Sequence, residues 1–95
     1  MTATRQDIKG WLDRGVKQGA RWMLVGLDRF DYENYPIFFR EDEVDDLWET
    51  VRTIGNNGTG GMGDSIEECY DLSLDPDSQM NDRRAFHWPP RPENV

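Results

Sequence analysis

The stretch RRAFHWPPRP, residues 83 to 92, gathers the side chains best equipped to hold a ligand. Arg83 and Arg84 offer planar donor forks that suit phosphate or carboxylate. Phe86, His87 and Trp88 offer faces on which a base or an adenine-like ring stacks. Arg21 and Arg29 are the further cations that a phosphate pocket would draw on. The same residues also have a structural use. Phe86 and Trp88 can pack across a sheet, residues 89–95 can run on as an extended tail, and the arginines can pair with carboxylates on the body. Both hold at once if the rings anchor the tail and the arginines face a pocket.

Enzymatic machinery is hard to assemble from the other residues. The chain has one His and one Cys, so a Cys69–His87 pair requires the tail to fold back beside the cysteine. A zinc site needs more such ligands than one chain holds. Carboxylates are abundant: Asp28, Asp31 and Glu33 lie within six residues, and EDEVDD adds five more. Their spacing matches no EF-hand loop. Residues 55–65, GNNGTGGMGDS, hold five Gly and two Asn and read as a Gly-rich loop. Its successive amides invite an anion-nest reading. But the loop lacks the Lys-Ser/Thr ending of a phosphate-binding loop and leads into a strand, and slack between the second helix and the third strand explains its glycines equally well. The expectation is a protein that is not an enzyme and has no metal and no cofactor.

Charge is unevenly divided. Residues 1–82 carry 8 Lys+Arg against 18 Asp+Glu, and residues 83–95 carry three Arg against one Glu. A net charge of −8 disfavours direct nucleic-acid binding, which needs cations to displace counterions. It suits a basic partner, because opposite potentials speed encounter. Residues 28 to 49 hold nine acids against two Arg. Within them Asp42, Glu43, Asp45 and Asp46 form the candidate partner-binding group, and plain solubility accounts for the same charge. Hydrophobic content is only 36%, offset by four Trp, three Tyr and four Phe, whose rings each bury roughly 150–250 Å². The single Cys69 points to a reducing compartment. No apolar run spans a bilayer and no signal segment opens the chain, so the expected localisation is cytoplasmic.

These groups must be positioned by a small α+β fold of a single domain, residues 1–95, in the order α-β-β-α-β-α. Thr4 and Asp7 form a capping box ahead of Ile8, Trp11, Leu12 and Val16, which share one helical face, and Gly19 ends that helix. Trp22 to Leu27 read as a central strand buried on both faces. Tyr35, Ile37 and Phe39 mark one side of a second strand, in which Pro36 favours an edge position or the strand's first residue. Val44, Leu47, Trp48, Val51 and Ile54 define a second helix, stopped by Gly55. Residues 65–74 alternate as a half-exposed strand, with Ile66, Tyr70, Leu72 and Leu74 on one face. Asp75 and Pro76 open a short third helix. The expected sheet is three-stranded and mainly antiparallel, with helices packed on one face. Its uncovered edges favour a homo-oligomer.

WLDRGVKQGARWMLVGLDRFDYENYP and YDLSLDPDSQMNDRRAFHW resemble a family of small proteins from bacteriophage and prophage genomes, over residues 7 to 88 apart from the middle. The shared features are an Asp-x-Phe-Asp-Tyr-Glu segment and a closing Arg-Ala-Phe-His-aromatic run. The segment GTGGMGDS is more Gly-rich than the family pattern. The family has no established activity to transfer, so the resemblance implies context alone: a phage accessory protein acting in an infected bacterium. In that context two binding functions are weighed, the first of them favoured, beside a structural phage protein with no ligand. One is a non-enzymatic sponge that sequesters a nucleotide signal of host antiviral defence, using Arg83, Arg84, Phe86, His87, Trp88, Arg21 and Arg29. The other is an acidic inhibitor of the anti-CRISPR type, which covers a basic groove of a defence complex with Asp42, Glu43, Asp45 and Asp46.

Overall fold

Strand β1 (Trp22–Asp28) is the centre of the molecule: β2 (Glu33–Phe39) and β3 (Ser65–Asp71) flank it, and both pair with it antiparallel. The structure, a computed structural model, describes residues 3–58, 64–80 and 86–90. Helices α1 (Arg5–Lys17), α2 (Val44–Gly58) and α3 (Pro76–Met80) complete the order α-β-β-α-β-α, so class, order and strand direction follow the sequence expectation.

The placement of the helices does not. Met23 and Val25 of β1 join Ile8 and Leu12 of α1 and Tyr70 in one core, with Phe38, Leu72 and Met80 against it. Trp22 and Leu24 face the other way, into a core with Phe39, Leu47 and Cys69, covered by Val44, Trp48 and Val51 of α2. Helices therefore cover both faces, where one covered face was expected. The cause is β1 itself: a strand apolar on both sides needs a lid on each. Leu12, Met23, Leu24 and Leu47 are wholly buried, each contributing about 1.5–3 kcal/mol from burial.

The capping box forms as expected. The Asp7 amide donates to Thr4 Oγ1 at 3.1 Å and the Thr4 amide to Asp7 Oδ2 at 3.0 Å. Gly19, at φ +79°, takes the left-handed conformation that closes the helix. Val16, expected on the buried face, is 52% exposed. Gly15 replaces it against the sheet, where an added Cβ would come within 2.7 Å of the Phe38 ring. The buried stripe is therefore 8, 12 and 15.

Two further expectations fail for local reasons. The β3–β1 register shifts between Val25 and Gly26, which pair with Glu68 and Ile66 respectively. Glu67 is the extra residue of a bulge. The bulge moves Ile66 to the Cys69 side while Tyr70 stays on the α1 side. Residues 68–70 are buried on both faces rather than one because a core lies on each side of the sheet. Gly55 does not stop α2, whose backbone continues to Gly58. A helical Gly costs about 1 kcal/mol but breaks nothing unless the chain turns left-handed there. The Gly-rich loop thus loses its first four residues to the helix, and residues 59–63 lie outside those described. Pro36 sits, as expected, on an edge strand. Among the described residues no helix is long and apolar enough to cross a membrane.

Candidate functional site

The C-terminal segment folds back along the outer edge of β3. Phe86 forms a parallel bridge to Cys69, with the His87 amide donating to the Cys69 carbonyl at 2.9 Å. The Cys69 thiol points at the His87 carbonyl, Sγ to O 3.6 Å. Trp88 stacks on Trp48 of α2 with ring centroids 5.2 Å apart, and Phe86 stacks on Trp88 at 5.9 Å. Trp48 Nε1 donates to the Pro90 carbonyl at 3.3 Å, and Pro89 is buried. Trp88 is thus part of the α2-side core, while Phe86 leaves 45% of its surface in solvent. Arg83, Arg84 and residues 91–95 lie outside the described residues.

His87 lines a depression of about 330 Å³ together with Leu74, Asp75, Ser78 and Gln79, near the lower limit for small-molecule sites. Its polar walls are largely engaged. Gln79, 3% exposed, accepts from the Asp71 amide at 2.8 Å and donates to the Asp71 carbonyl at 2.7 Å, as a neighbouring strand would. This clasp fastens α3 to β3. Ser78 Oγ donates to Asp75 Oδ2 at 3.2 Å. A carboxylate on the wall opposes a phosphate there. The Cys69 thiol is buried, and burial, then the charge of Asp71, pushes it up to about 12. Among the described residues no three metal-binding side chains cluster.

Arg21 is committed to the protein. Its Nε donates to Asp71 Oδ1 and its Nη1 to Glu41 Oε1, both at 2.9 Å, and the guanidinium lies 4.7 Å from the Trp22 ring centroid. Its amide and carbonyl bond to Phe39 and Leu72, so one residue ties together the ends of all three strands. Burial alone would raise the Asp71 carboxyl. The Arg21 guanidinium and the Ser73 hydroxyl and amide outweigh it and hold that carboxyl below the usual range. Arg29 follows the opposite end of β1, eight residues or roughly 25 Å away at strand rise. The two arginines therefore cannot close on one small ligand. Arg29 also has an interaction of its own within the protein.

The acids from 28 to 49 likewise divide, because β2 carries the chain from one end of the sheet to the other. Around the first turn of α2, Asp42, Asp45 and Asp46 are exposed, and no ion pair engages them among the described residues. Glu43 is different: half-buried, it accepts the Arg40 amide at 2.7 Å and shapes the entry to the helix. Glu41 holds Arg21, and Glu49 pairs with Arg52. Asp45 and Asp46 also suit the positive end of the α2 dipole.

Two polar pairs had no place in the sequence reading. Tyr35 Oη donates to the Asp64 carboxylate, and Tyr70 Oη donates to Glu68 Oε1 at 2.8 Å inside the α1-side core. Burial and then these carboxylates raise both phenols above their ordinary value. The sequence signal for the first was Gly26, since a glycine inside a strand marks a close approach; here the Tyr35 ring covers it. No protein-family model, curated protein or solved structure matches the chain.

Proposed function

We propose that the chain is a non-enzymatic binding protein that sets a carboxylate surface, centred on Asp42, Asp45 and Asp46, against a basic surface of a partner protein. One observation carries this reading: these three carboxylates are exposed and unneutralised among the described residues, whereas Arg21, a cation of the rival nucleotide reading, is spent on Asp71 and Glu41. In the phage-infected bacterium implied by the resemblance, the fitting target is a nucleic-acid-binding protein of host defence, with carboxylates standing where phosphates lie. The test is an amide ¹⁵N–¹H NMR titration with a short Lys/Arg-rich peptide. Shifts concentrated on residues 41–49, and lost in the triple variant Asp42→Asn, Asp45→Asn, Asp46→Asn, support the proposal. Shifts of equal size around Asp7 and Asp13 contradict it.

Sequestration of a nucleotide is the second reading. It is supported by the depression that His87 lines and, separately, by the exposed Phe86 ring stacked on Trp88. A nucleotide at a hundredfold its Kd would add about 2.7 kcal/mol of stability. Thermal melts against linear and cyclic nucleotides that show no shift rule this reading out.

A further inference from the structure

The turn between β1 and β2 carries an apolar feature that the fold does not use. Phe30 is 69% exposed and Tyr32 63%, and neither ring joins either core. The turn is nevertheless tightly built. The Asp28 carboxylate accepts the amides of Phe30 at 2.9 Å and Asp31 at 3.4 Å, and the Tyr32 amide donates to the Asp28 carbonyl at 2.6 Å. Tyr32 itself sits at φ +57°, a left-handed conformation that is strained for a bulky aromatic residue. Two rings, two residues apart, are thus held outward by a fixed turn with the exposed carboxylates of Asp31 and Glu33 around them.

We infer that this hairpin tip is the anchor of a protein–protein interface, with Phe30 and Tyr32 entering an apolar pocket rimmed by Lys or Arg. The inference rests on the reading of the chain as a ligand of basic protein surfaces, and adds a separate contact at the other end of the sheet. Aromatic anchors that arrive already ordered lose little entropy on binding and supply most of an interface's affinity. The surrounding charge selects the occupant. A second copy of this chain, at a net −8, would bring acid against acid. Anionic lipid and nucleic acid are repelled for the same reason. An apolar pocket with a basic rim satisfies rings and carboxylates together.

The test replaces Phe30 in the full chain by a photoreactive benzoylphenylalanine, cross-links in lysate of the native host, and purifies the captured protein for titration. Wild type, Phe30→Ser, Tyr32→Ser and the triple variant Asp42→Asn, Asp45→Asn, Asp46→Asn are titrated in parallel, with melting curves for each. The expected result is a loss of about thirtyfold or more for each ring variant, as for anchor residues generally, with melting temperatures near that of the wild type. Tyr32→Gly, which removes the strain along with the ring, should melt no lower than wild type. Three outcomes overturn the inference: no cross-link above that of the same group placed at exposed Val16, wild-type affinity for Phe30→Ser, or a marked drop in melting temperature for Tyr32→Gly. Loss with the α2 variant alone sinks this inference and leaves the proposed function standing. Loss with neither sinks both.

Discussion

Replacing Trp88 by Ala tests whether the C-terminal segment belongs to the core. Trp88 is half-buried between the faces of Trp48 and Phe86. Truncation returns on the order of 120 Å² of apolar surface to water, which is about 3 kcal/mol at 25 cal/mol per Å². Loss of ring stacking adds about 0.5–1.5 kcal/mol, and collapse of the freed tail recovers part of it. The net expectation is about 3 kcal/mol. A domain of 95 residues unfolds with an entropy of about 0.2 kcal/mol/K, so the melting temperature should fall by about 15 °C. Circular dichroism melts and urea titration read the loss, and hydrogen exchange should find the His87 amide, now bonded to Cys69, opening far faster. Phe86→Ala, at a ring already 45% exposed, should cost under about 1 kcal/mol. A Trp88→Ala protein melting within about 3 °C of wild type would refute the account of the tail.

Gly26→Ala would set a Cβ 2.6 Å from Tyr35 Cζ, forcing the ring off Asp64 at a cost of about 2–3 kcal/mol in urea unfolding; a neutral or stabilising result contradicts that packing. Asp71, whose folded carboxyl titrates below its unfolded value of about 3.9, contributes stability that is present above that pH and withdrawn below it. The stability gap between wild type and Asp71→Asn should therefore narrow as pH falls from about 5 to about 2, and a gap independent of pH would show that the Arg21 pair contributes nothing. Cys69, buried with a thiol pushed up to about 12, should react with a disulfide reagent only as fast as the protein opens, so rapid labelling of the native state would overturn its placement.

Much of the fold was legible because it is written in local chemistry. Thr4 and Asp7 announce the start of α1, the apolar run from Trp22 announces a central strand, and Pro36 announces an edge. What escaped depends on residues far apart in sequence. The bulge opposite Val25 and Gly26 reverses the facing of Ile66, and period-two patterning cannot register one extra residue. Gly15 rather than Val16 meets the sheet because Phe38 needs bare backbone there. The site was legible in residue types but not in grouping. Arg21 looked available until Asp71, 50 residues away, and Glu41 came to hold it. The acids from 28 to 49 looked continuous until β2 separated them.

The measurement that bears most directly on the proposed function is parallel capture from lysate of the bacterial host that this proposal supposes, by wild type and by the charge-reversed variant Asp42→Lys, Asp45→Lys, Asp46→Lys, with elution by graded salt. The account predicts a basic protein retained by wild type, released at moderate ionic strength, and absent from the variant. The same proteins retained equally by both chains would contradict it.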